Sequence, residues 1–199
     1  MAITFPLSHP TVTGFRSIEW APRSVVGLNA SPFTGQQQVY AWPGQWWEAT
    51  VSLPPMKEAA AGEWAAFFLA LNSREGTFLL GDSVRKTRLG AVTGALTVGS
   101  GATANSTTLP IAGATGTFAL GDWLQVFSGS SSRLHRVVQV NSASSVDVFP
   151  RLRSAYANGS AITVASPRGL FRLAALPAWA MDERKICAGL SFTAVEALA

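Results

Sequence analysis

From Gln45 to Leu53 apolar and polar residues alternate. Trp47, Ala49, Val51 and Leu53 fall on one side of an extended chain and Trp46, Glu48, Thr50 and Ser52 on the other, which predicts a strand buried on one face. Gln36 to Trp42 is a second β-prone run, and Pro43-Gly44 lies between the two. Proline suits the first central position of a turn and glycine the second, so this arrangement predicts a hairpin. Thr11 to Trp20 alternates less well and reads as a strand with a bulge at Gly14. After Pro54-Pro55 the period changes: Ala60, Trp64, Phe67, Phe68 and Leu71 recur at helical spacing, predicting a helix from about 56 to 71 with prolines at its start. Thr77 to Leu80 then reads as a short buried strand.

The middle of the chain differs in character. From Gly90 to Gly121 there is no charged residue, and Gly, Ala, Ser and Thr dominate. Short β-prone runs follow at regular spacing: Trp123 to Phe127, His135 to Val140, Val146 to Phe149 and Ala161 to Val164. Turn residues separate them, so residues 88–166 read as a small, barrel-like all-β module. The earlier character returns at Gly169 to Ala174 and at Lys185 to Thr193, where Ile186, Ala188, Leu190 and Phe192 would share a face. If this last strand pairs with the N-terminal third, the module is an insertion into a discontinuous main domain of residues 1–87 and 167–199. The fold class expected is mainly β with one packed helix.

Composition excludes several alternatives. The chain has 199 residues, of which 48% are hydrophobic and 13% charged. It is too apolar for a disordered chain and carries half the charge of an average globular domain, about a quarter of residues. A neutral surface suits subunit contacts, because interface cores are depleted in charge. No apolar run reaches the ~20 residues of a membrane-spanning helix, so no membrane is expected as partner. The first ten residues lack the basic and apolar regions of a signal peptide. The net charge of +4 is scattered; the nearest approach to a basic cluster is Arg85, Lys86 and Arg88, and no nucleic-acid site is predicted.

The residues that could carry catalysis are few. Neither histidine, His9 or His135, sits in a motif, and Cys187 alternates with apolar neighbours as a core thiol would. No metal-ligand spacing occurs, and neither cofactor nor metal is expected. Asp82 with Asp122, and Asp182 with Glu183, could be paired carboxylates, but all lie at turns where capping of backbone amides is the commoner role. An enzyme is not expected. Exposed tryptophans can stack on sugar rings, which makes Trp42, Trp46, Trp47 and Trp123 candidates for a carbohydrate platform. Trp47, Trp64 and Trp123 lie on apolar faces and fit the core better. Stacking is carried forward for Trp46, on the polar face of its strand, and for Trp123, in the inserted module.

SPFTGQQQVYAWPGQWWEATVSLPPM (Ser31–Met56) resembles small tail proteins of long-tailed bacteriophages and prophages. So do EWAAFFLAL (Glu63–Leu71), TFLLGD (Thr77–Asp82), GDWLQV (Gly121–Val126), FRLA (Phe171–Ala174) and GLSFTAVEAL (Gly189–Leu198). The resemblance is to the distal tail proteins. It implies a β-sandwich related to the tail-tube fold, with a packed helix, and a ring of copies, commonly six, joining the tail tube protein to the baseplate hub. It also implies a place in the virion tail tip, after assembly in the host cytoplasm. Some members carry a carbohydrate-binding insertion, which makes a glycan-contacting module of the tail tip the alternative. The family brings no catalytic residues. Gln36, Gln38, Tyr40, Trp42 and Trp46 are the expected assembly surface, with the N-terminal arm Met1–Pro10 and the helix flank beside them.

Overall fold

The computed structural model describes residues 3–82 and 88–198. The strands are β1 (Leu7–Ser8), β2 (Ser17–Ala30), β3 (Gln37–Ser52), β4 (Met56–Lys57), β5 (Phe78–Leu80), β6 (Thr97–Val98), β7 (Thr108–Ala112), β8 (Trp123–Val126), β9 (Arg133–Ser142), β10 (Ser145–Phe149), β11 (Ile162–Thr163), β12 (Gly169–Leu173), β13 (Ile186–Cys187) and β14 (Ser191–Glu196). One α-helix, α1, spans Glu58–Leu71. The protein is mainly β.

Two six-stranded sheets organise it. The main sheet has the order β1-β5-β12-β14-β3-β2 and joins the two ends of the chain, with β14 antiparallel to β3. The second, ordered β11-β8-β9-β10-β7-β6, is built wholly from the middle of the sequence. Its outer strands approach each other: the Val98 amide donates to the Ser160 carbonyl, Gly159 to Val98, and Ile162 to Leu96, so the sheet curls into a nearly closed barrel. The uncharged stretch 90–121 supplies β6, β7 and the turns around them. At Gly113, φ is +75°, and an added Cβ would lie 2.2 Å from the Ala95 carbonyl oxygen. Only glycine allows the backbones to come that close.

The main sheet is buried on one face. Cross-strand neighbours Phe78 and Phe171, Leu173 and Ala194, Phe192 and Val51, and Trp20 and Ala49 all point to that face. Helix α1 covers one end of it through Trp64, Phe67 and Phe68, and the barrel covers the other through Trp123, Leu134 and Phe149. Helix and barrel together therefore fill the layer opposite the sheet. The chain leaves the sheet for the barrel beside the point where it returns: a Cβ on Gly81 would lie 2.2 Å from the Pro167 carbonyl oxygen.

Several sequence expectations are corrected. Pro43-Gly44 is no hairpin turn, because β3 runs through it, and Gly44 lacks the positive φ such a turn needs. The register between β2 and β3 jumps there, from Ser24 opposite Gln45 to Val26 opposite Ala41, so the dipeptide sits in a bulge. Proline, which has no N–H to give, is tolerated at such a break in the ladder. The actual turn is Ser31–Gln36, where the Ser31 hydroxyl accepts from the amides of Phe33 and Thr34 and Gly35 has φ +69°. Residues 11–16 are not strand, and β2 instead extends to Ala30. The helix starts at Glu58, because Met56–Lys57 pairs with Ile186–Cys187. The run Lys185–Thr193 is broken at Gly189, φ +73°, so Ile186 is exposed while Leu190 and Phe192 are buried.

Candidate assembly surface

Beyond Arg23 and Trp46 the strands β2 and β3 leave the main sheet, since β14 pairs with β3 only from Glu48 to Ser52. What projects is a two-stranded ribbon about 20 Å long, at the ordinary rise of a strand. From Ser24 to Gln45 it carries no charge. Val26, Leu28 and Val39 share one face and are 55, 61 and 62% exposed. Tyr40 and Trp42 stack on the other face with ring centroids 6.4 Å apart, and the Trp42 ring lies over Gly27, where a Cβ would come within 3.1 Å. Phe33, at the tip, is 95% exposed. Isolated two-stranded hairpins are marginal in water, and an exposed apolar patch with free strand edges is the signature of a surface that becomes covered.

Four of the five expected interface residues, Gln36, Gln38, Tyr40 and Trp42, lie on this arm and are exposed. The fifth, Trp46, is half-buried at its root on the outer face of the sheet, where its indole N–H donates to Glu48 Oε1 at 3.2 Å. The same carboxylate receives Arg23 at 2.8 Å. Sequence reading missed the other half of the arm, Val25 to Leu28, and the tip Phe33. The signal was the Ser-Pro-Phe-Thr-Gly turn inside an uncharged stretch. The N-terminal segment is partly committed elsewhere: β1 pairs in parallel with β5, and Phe5 and Leu7 pack on the protein's own core.

Trp123 does not fit a stacking role. It is 5% exposed, and its ring is flanked by Trp20 and Trp47, each 5.0 Å away between centroids, with the Arg136 guanidinium 5.2 Å from its centre. No ring face is left for a sugar.

Several of the remaining candidates take structural roles. Asp182 accepts from the amides of Arg184 and Ile186 at 3.0 and 2.8 Å, the capping role expected of a turn aspartate. Asp122 is buried and accepts from Leu89, Gly90 and Ala119 amides. Asp82 and His9 line a cleft between residues 9–15 and 166–168. His9 Nδ1 lies 3.0 Å from the Pro10 carbonyl oxygen, and its ring stacks near Trp64. Cys187 is buried in the core. His135 is buried between the Pro150 carbonyl and the Tyr156 hydroxyl, and burial pushes its pKa down to about 4. Arg85 and Lys86 lie outside the described residues; Arg88 is exposed. Among the described residues, no group of three or more His, Cys, Asp or Glu could hold a metal ion, and no helix is long and apolar enough to cross a membrane.

Compared with known proteins, the sequence matches no family model and no curated protein.

Proposed function

We propose that this chain is a structural ring subunit of a phage tail tip, a distal tail protein joining the tail tube protein to the baseplate hub. The uncharged arm is the observation that carries the reading. Its apolar face and unpaired edges need a partner, and in a closed ring each copy offers one surface and receives another. The sequence resemblance supplies the setting: a virion component, a ring commonly of six, and neighbours above and below. The reading assigns the chain no catalytic step and no cofactor. The glycan-contacting alternative is weakened, since Trp123 is enclosed and Trp46 is half-buried beside its Glu48 bond.

The test is the mass of the purified chain in solution together with electron microscopy of virions. Rings are expected, with the chain present at the tail tip. Leu28→Asp and Val39→Asp, both on exposed positions, should leave the fold intact and weaken association about thirtyfold or more, the effect of losing an interface hot spot. A native chain that stays monomeric at high concentration and is absent from virions overturns the reading.

A further inference from the structure

A second apolar surface lies far from the arm. From Leu173 to Met181 the chain carries no charge, and Leu176, Trp179, Met181 and, past the next turn, Ile186 are 36 to 45% exposed. The far part of this loop is held in place. Met181 bridges to Cys187, Ile186–Cys187 pairs with Met56–Lys57, and Asp182 accepts the Ile186 amide at 2.8 Å. The strand order sets where the loop stands. It joins the end of β12 to the start of β14, and Ser191 lies opposite Ser52, at the end of β3 that points away from the arm. The arm tip is at the other end, about 50 Å along β3 at the ordinary rise of a strand. One copy therefore cannot lay its own arm on its own loop.

We propose that the loop receives the arm of a second copy, so that copies join head to tail: Val26, Leu28, Val39 and the tip Phe33 of one against Leu176, Trp179 and Met181 of the next. The contact presupposes the ring subunit described above and names the two surfaces that meet in it. Both surfaces are uncharged, as the core of an interface commonly is, so burying them strands no ion. Two different surfaces make a heterologous contact, which closes into a ring where the rotation allows. Arm against arm would instead be isologous, would stop at two copies and would leave the loop in water. The areas agree with a specific contact. At roughly 200 Å² per large side chain, the exposed fractions leave about 550 Å² open on that arm face and tip and about 330 Å² on the loop. Because about 57% of an ordinary interface is apolar, this corresponds to about 1,500 Å² in all, inside the ~1,200–2,000 Å² of stable complexes.

Complementation between full-length variants tests the contact. Leu28→Asp spoils the arm and leaves the loop; Trp179→Asp spoils the loop and leaves the arm, and Leu176→Asp is a second loop variant should Trp179→Asp lower stability in urea. Each variant alone should associate about thirtyfold or more weakly than the native chain, read as mass in solution against concentration. Mixed one to one, the arm variant and a loop variant should form dimers with one intact joint, since the loop variant brings a working arm and the arm variant a working loop. A misfolded chain would not recover on mixing. Loop variants that assemble as the native chain does, or a mixture that associates no better than its components, overturn this contact and leave the ring reading standing. A native chain that stays monomeric overturns both.

Discussion

Trp64→Ala is expected to remove about 3–5 kcal/mol of stability, the cost of emptying a large buried aromatic site. Against the 5–15 kcal/mol of an ordinary domain, that is about half of what holds the protein folded. The size follows from position. Trp64 is fully buried in the middle of the α1 stripe Ala61, Trp64, Phe67, Phe68 and Leu71. Its ring meets Phe67, Phe68 and Phe192 with centroids 5.7 to 5.9 Å apart, and Phe15 at 6.2 Å. Its indole N–H donates to Thr13 Oγ1 at 3.0 Å, tying the irregular segment before β2 to the helix. Trp64→Phe keeps most of the packing and loses that bond, for about 1–2 kcal/mol. Leu69→Ala, on the exposed side of the same helix, should stay within about 0.5 kcal/mol of the native chain. Urea unfolding of the three variants gives these values. A loss below about 1 kcal/mol for Trp64→Ala would mean the helix does not anchor the sheet as described.

What could be read from the sequence was what burial had written into it. The face Trp47, Ala49, Val51 and Leu53 is buried as its alternation predicts, because a half-buried strand must place apolar residues at every second position. The helix stripe obeys the same logic at its own period. Where the sheet gives out, the signal goes with it. The arm is exposed on both faces, so β2 beyond Arg23 has no core to impose a pattern, and the dipeptide Pro43-Gly44 was the strongest local cue in the region. That cue was misleading, because turn chemistry describes what a dipeptide tolerates, and a bulge tolerates the same residues. The barrel as a module is legible from its turn spacing and later strands, but its first two strands are not: β6 and β7 are short and drawn from Thr, Val, Leu, Pro, Ile and Ala among many glycines. The few large residues there, Leu109 and Ile111, are buried, but two positions make no period.

The charge deficit also divides along these lines. In the barrel, the uncharged stretch 90–121 is explained from within only at its close approaches, such as Gly113 to Ala95, which leave no room for a side chain; about half of the stretch is exposed. On the arm no such crowding exists; its tip residue Phe33 is almost fully exposed. Neutrality there answers to no internal demand. The arm, which holds large apolar side chains in the open, argues for a partner more strongly than the mostly small residues of the longer stretch.

Asp122→Ala is expected to cost about 3 kcal/mol, because three backbone amides lose a buried carboxylate acceptor and hydrogen bonds to charged groups contribute about 1.5–3 kcal/mol each. The carboxylate is 1% exposed. It accepts from Leu89 at 2.5 Å, from Gly90 through both oxygens at 3.2 Å, and from Ala119 at 2.8 Å. Those amides belong to the chain entering the barrel and to the turn before β8, so one side chain pins the barrel's entry to that turn, whose backbone is in turn bonded to β9 through the Val137 amide and the Asp122 carbonyl. Glycine is required beside it: a Cβ at position 90 would lie 2.6 Å from the Ala119 nitrogen and 2.7 Å from Asp122 Oδ2. Gly90→Ala should therefore disturb the same turn independently. Asp122→Asn keeps one acceptor and turns an N–H toward donors, so it should fall between the native chain and the alanine variant. A carboxylate serving chemistry would behave differently, since its amide isostere commonly spares the fold while removing the charge. Hydrogen exchange separates the two cases. If Asp122 is the barrel's pin, barrel amides lose protection in all three variants while those of β3, β12 and β14 keep theirs; unchanged barrel protection in Asp122→Ala would refute the structural role.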